Sequence, residues 1–83
     1  NIQVVELIPG EQLQVVVENK GNRHKLLTGA VLNLTNGKEK IQLKGDDLKG
    51  LAGENVLAGS RRIFRIPAQS KVTKDFKGTL KVD

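Results

Sequence analysis

Apolar and polar residues alternate along most of this chain. Around Gln12–Glu18, Leu13, Val15 and Val17 share one face, Gln12 and Gln14 take the other, and Val16 falls on the polar side. In His24–Leu34 the same period places Leu26, Ala30, Leu32 and Leu34 together, with Thr28 among them. Ile41 and Leu43 alternate with Lys40, Gln42 and Lys44; Phe64 and Ile66 share a face; Phe76, Leu80 and Val82 alternate with Lys77, Thr79 and Lys81. A period of two is the signature of strands half buried against a core, because successive side chains of a pleated strand point to opposite faces.

The residues between these runs are turn formers. Pro9-Gly10, Lys20-Gly21-Asn22, Asn36-Gly37 and Gly45-Asp46-Asp47 each separate two apolar runs. Asn-Gly between alternating runs is a strong hairpin signal, since both residues tolerate the positive φ of the favoured two-residue turns. The pattern predicts about seven short strands in an all-β, antiparallel sandwich. Its core is expected to hold Val15, Val17, Leu32, Phe64, Ile66 and Leu80. The stretch from Asp46 to Gly59 has room for a short helical turn, but Gly50, Gly53 and Gly59 argue against a lasting helix. There is no internal repeat.

Length and composition narrow the picture. Eighty-three residues make one small domain, which buries roughly 60% of its unfolded surface. The chain has no cysteine, so neither a disulfide nor a thiolate metal site supplements that core. It has no methionine and opens at Asn1, which reads as a processed protein or a piece of a longer one. No apolar run approaches the roughly 20 residues of a membrane-spanning helix, and no membrane insertion is expected. The formal charge is +5, which draws attention to acidic partners. With Phe64 and Phe76 as the only aromatics, the chain lacks the stacking rings that single-strand nucleic-acid binders combine with basic grooves. No nucleic-acid partner is expected.

Candidate chemistry is sparse. His24 is the single histidine. A histidine base needs a nucleophile or an orienting carboxylate, and a metal site needs further ligands. Ser60 and Ser70 lie outside any nucleophile-elbow pattern, and the glycines of Gly50–Gly59 do not match phosphate-binding spacings. Arg61 and Arg65 are expected to point outward together on a solvated strand face. The reading is a protein that is not an enzyme, with no cofactor, no metal, no catalytic residue, and His24 structural.

Three segments carry a family resemblance. "LQVVVENKGNRHKLL" is similar to a strand ending in Asn, a glycine-containing turn and a His-led next strand in the second domain of periplasmic pilus-assembly chaperones of the chaperone–usher pathway. "GLAGENVLAGSRRIFRIP" resembles that domain's region ending in an aromatic strand and proline. "KDFKGTLKV" resembles its Asp-aromatic-x-Gly segment before the last strand. In order, they span most of Leu13 to Val82. The glycine-containing first turn is similar to the subgroup that assembles thin, archaic pili.

The resemblance implies that residues 1–83 form one immunoglobulin-like domain, the second of a two-domain periplasmic chaperone. Such a chaperone holds pilus subunits by strand addition until an outer-membrane usher takes them. The residues that anchor a subunit belong to the first domain, so none is carried over. The aspartate matching Asp75 joins a charged network between the two domains, which makes Asp75 a candidate interdomain contact. Its local alternative is an exposed pair with Lys74 or Lys77, worth only about 0–1 kcal/mol. The alternative function is an immunoglobulin-like display or adhesion module of a bacterial surface protein.

Overall fold

The alternating run around Val15 becomes the central strand of one of two packed sheets. The computed structural model describes residues 1–83. Its strands are β1 (Ile2–Ile8), β2 (Gln12–Asn19), β3 (Lys25–Leu26), β4 (Val31–Thr35), β5 (Lys40–Lys44), β6 (Asn55–Val56), β7 (Arg61–Pro67) and β8 (Lys77–Lys81), with one 3-10 turn at Gly45–Leu48. The sheets run in the orders β1-β2-β7 and β5-β4-β8, and β3 and β6 form a separate short pair. Every pairing is antiparallel. The fold is the all-β antiparallel sandwich read from the sequence, with eight strands against the seven or so expected; two of them, β3 and β6, are only two residues long.

The core follows the alternation closely. Val15, Val17, Leu32, Phe64, Ile66 and Leu80 are all buried. Val16 lies on the outer side of β2, yet it too is buried beneath its neighbours, with Glu6 of β1 and Ile63 of β7 paired on either side of it. Arg61 and Arg65 are exposed on that outer face, as expected.

One face assignment is corrected. Leu26 is 48% exposed, and its neighbour Leu27 is fully buried in its place. An uninterrupted strand from His24 to Leu34 would place even-numbered residues inward throughout. The chain instead turns after Leu27, with Gly29 at a φ of 61°, and this break changes the parity. The stretch with unclear periodicity also contributes core: Leu48, Leu51 and Val56 are fully buried. Gly50 there has a φ of 103° and sits so near the Arg65 carbonyl that a Cβ would collide with it.

β1 has a bulge. Its register against β2 passes from Val4↔Val17 to Glu6↔Val16, leaving Val5 without a partner. The extra residue shifts the inward positions from Ile2 and Val4 to Leu7, all of which pack on the core. Beyond its pairing with β2, β1 lies beside β8 without joining its sheet. Gly78 permits that approach: a Cβ there would stand 3.3 Å from Val4 Cγ1 and 3.2 Å from Leu34 Cδ2.

Candidate functional site

The end of β2 and the loop after it are built around a buried polar side chain. Asn19 is a buried polar residue, 2% exposed. Its Nδ2 donates to the Arg23 carbonyl at 2.8 Å and the Val56 carbonyl at 3.0 Å, and its Oδ1 accepts from the Gly21 N–H at 2.9 Å. Two carbonyls on one side and an N–H on the other fix the orientation of the amide. The Asn19 backbone N–H donates to Ser60, and its carbonyl accepts from Gly59. One residue thus fastens the 20–24 loop to β6 and to the start of β7. Gly21 is confined by this arrangement, since a Cβ would stand 3.2 Å from Asn19 Oδ1 and 3.3 Å from Asn1 Nδ2.

His24 stands outside the knot. It is exposed and lines one wall of an open cleft of about 740 Å³ with Asn1, Asn22, Arg23, Lys25 and Lys81. No carboxylate forms an ion pair with it, and the chain contains no group of three or more His, Cys, Asp or Glu side chains placed to hold a metal. Lys25 closes part of the cleft by donating to the Asp83 carbonyl at 2.8 Å. The loop therefore orders backbone through Asn19 and carries a basic rim.

The arginine group divides. Arg61 turns outward and donates through Nε to Glu18 Oε2 at 2.8 Å. That hydrogen bond, helped by the charges of Arg61 and Lys20, holds the Glu18 carboxyl below its ordinary value and raises the Arg61 guanidinium. Arg62 turns the opposite way, toward Phe64 and residues 54 and 55. Its guanidinium lies 4.7 Å from the Phe64 ring centroid, donates to the Asn55 carbonyl at 2.7 Å and pairs with Glu54 at 3.5 Å. Its position one residue out of step with Arg61 and Arg65 is the sequence signal for this separate role.

Asp75 is exposed in the turn before β8, where Phe76 N–H donates to the Thr73 carbonyl. Its carboxylate accepts a hydrogen bond from the Thr73 hydroxyl. Neither Lys74 nor Lys77 forms an ion pair with it. It borders a shallow groove whose other wall is Val5–Ile8 of β1. Asn1 and Ile2, at the opposite end of β1, face Leu80–Val82 instead.

No family model matches the chain, and no curated protein or solved structure matches it. No helix is long and apolar enough to cross a membrane.

Proposed function

We propose that this sandwich is the accessory second domain of a periplasmic chaperone that stabilises pilus subunits and delivers them to an outer-membrane usher. It works without catalysis or cofactor. One observation carries the reading: three segments resemble that domain in order, and they are the joints that close the sandwich. The "ENKGN" end of the first segment is fastened through Asn19 to Val56, Gly59 and Ser60 of the second. In the third, Gly78 admits β1 against Leu34. Asp75, free of local ion pairs, is the charge this reading assigns to the contact with the first domain, reached along the β1–β8 seam.

The test uses the full-length protein. In cell fractions it should be periplasmic and should co-purify with a pilus subunit. Asp75→Asn should reduce that capture by loosening the domain angle, because it leaves a partner charge at the junction unmatched. The same change should leave the melting temperature of residues 1–83 alone nearly unaltered. Undiminished capture by Asp75→Asn would remove the junction role. A protein displayed on the cell surface without bound subunit would be the display or adhesion module.

A further inference from the structure

The second sheet presents a basic array that the proposed function does not use. Strand β4 pairs with β5 on one side and β8 on the other, and the registers place nine outward residues in three rows. Lys44, Val31 and Lys81 form the first row; Gln42, Asn33 and Thr79 the second; Lys40, Thr35 and Lys77 the third. Their inward neighbours, including Leu32, Leu34, Leu43 and Leu80, are buried, so these nine face away from the core. A lysine therefore occupies each corner, a neutral polar row lies between, and no carboxylate stands on the face.

The four lysines are exposed, and none forms an ion pair. Glu39, Asp46, Asp47, Asp75 and Asp83 flank these strands but lie beyond the ladder, in the turns, the 3-10 segment and the last residue. Asp75 is engaged by Thr73, and the Asp83 carboxylate sits against Gly29. The other sheet differs: its outer face mixes Glu6 and Glu18 with Arg61 and Arg65, and Glu18 is paired with Arg61. Lysines on edge strands also discourage edge-to-edge pairing, but edge protection does not require that four lysines frame a row of neutral hydrogen-bonding side chains on one open face.

We infer that this face binds a linear acidic polysaccharide. Lysines four apart on a strand are separated by about 13 Å, and those on β5 and β8 by about 10 Å. Two charged rows thus flank a central row in which Asn33 and Gln42 are joined by a 3.1 Å hydrogen bond. Amide and hydroxyl groups remain there for sugar hydroxyls, while sulfates or carboxylates reach the lysines. Shape favours a thin polymer over a plane. Neighbouring strands rotate by about 20–25°, so the four corners form a saddle, which a chain follows along its concave diagonal and a flat bilayer does not. Sequence-specific reading of duplex DNA needs elements that enter its grooves, and this face offers none; non-specific phosphate contact is separated by the experiment.

The experiment measures binding of residues 1–83 to heparin and to polygalacturonate at several salt concentrations. Neutral dextran, phosphatidylglycerol vesicles and a duplex oligonucleotide are run alongside. One variant carries Lys40→Gln, Lys44→Gln, Lys77→Gln and Lys81→Gln; a second carries Arg61→Gln and Arg65→Gln on the opposite sheet. The wild type should bind one or both acidic polysaccharides, with a log–log salt slope of about −3 for four contacts. The lysine variant should lose at least about tenfold in affinity, and the arginine variant less than about twofold. Unchanged circular dichroism verifies that both variants are folded. No binding to either polysaccharide, or equal losses per charge in the two variants, would overturn the inference. Vesicles or duplex bound as tightly as the polysaccharides through the same lysines would overturn the choice of partner.

Discussion

Replacing Asn19 by aspartate keeps the shape of the side chain and reverses the chemistry of one end. The amide gives two hydrogen bonds, to Arg23 and Val56, and takes one from Gly21. In Asn19→Asp the bond from Gly21 survives, but an ionised oxygen then faces two carbonyl oxygens. Leaving one buried acceptor without its donor costs about 1–3 kcal/mol. The Val56 carbonyl is the buried one; that of Arg23, nearer solvent, can turn to water. Charge repulsion adds to this, so a loss of about 3 kcal/mol at pH 7 is the expected result. A domain of this length has roughly 4–12 kcal/mol in total, and the melting temperature should fall by about 12–24 °C.

The pH dependence makes the test specific. The new carboxyl is disfavoured as a charge, so its pKa in the folded state lies above the unfolded value of about 3.9. The folded state then holds its proton more tightly than the unfolded state, and the penalty is absent below the unfolded pKa. It grows as pH rises toward and through the raised folded value. Thermal melts of wild type, Asn19→Asp and Asn19→Ala at pH 3.5 to 8 should show the aspartate variant recovering toward wild type in acid, with the alanine variant offset by a nearly constant amount. Equal, pH-independent losses for both variants would refute the assignment of Asn19 Nδ2 as the donor that closes the loop.

Other substitutions probe separate parts of the account. Phe64→Ala removes a buried ring and the surface beneath the Arg62 guanidinium, and urea unfolding should show a loss of about 3–5 kcal/mol; a near-neutral result would refute the core assignment. Gly50→Ala should be far more damaging than Gly53→Ala. Both positions have positive φ, but only at Gly50 would the added methyl meet a backbone carbonyl, that of Arg65; comparable melting temperatures for the two would contradict the packing there. Glu18→Gln tests the surface pair with Arg61. Because the folded carboxyl is held below its ordinary value of 4.5, the pair's small contribution is present above that value and fades as pH falls through the lowered one. The difference between wild type and variant should therefore shrink in acid; a difference that widens there would reverse the sign of the argument.

What the sequence discloses is what local alternation encodes. Strands β2, β7 and β8 are legible because Leu13, Val15 and Val17, Phe64 and Ile66, and Leu80 and Val82 recur at period two, even though Val16 is also buried. The β4–β5 hairpin is legible from Asn36-Gly37, but its loop spans residues 36–39 instead of two residues, and Gly37 alone takes a positive φ, 94°. The exchange of Leu26 for Leu27 is hidden because the parity change depends on where the chain turns. The burial of Leu48, Leu51 and Val56 is hidden for a similar reason, since glycine-broken segments have no period to read. Asn19 stands at a visible strand end, but its partner Val56 lies 37 residues away, and only the closed sandwich brings them together. The lysine face is half visible: Lys40, Gln42, Lys44 and Lys77, Thr79, Lys81 share a pattern, but their assembly depends on β4 lying between them.

The proposed chaperone role is tested most directly by the lifetime of a newly exported pilus subunit in cells with and without the full-length protein, followed by pulse–chase in the periplasmic fraction. A subunit that is held by strand addition has an unpaired sheet edge until that strand is supplied, so without its chaperone it should be degraded or aggregate within the chase. The account predicts a stable subunit in complex with the protein and its rapid loss when the protein is deleted. A subunit equally long-lived in both strains would contradict it.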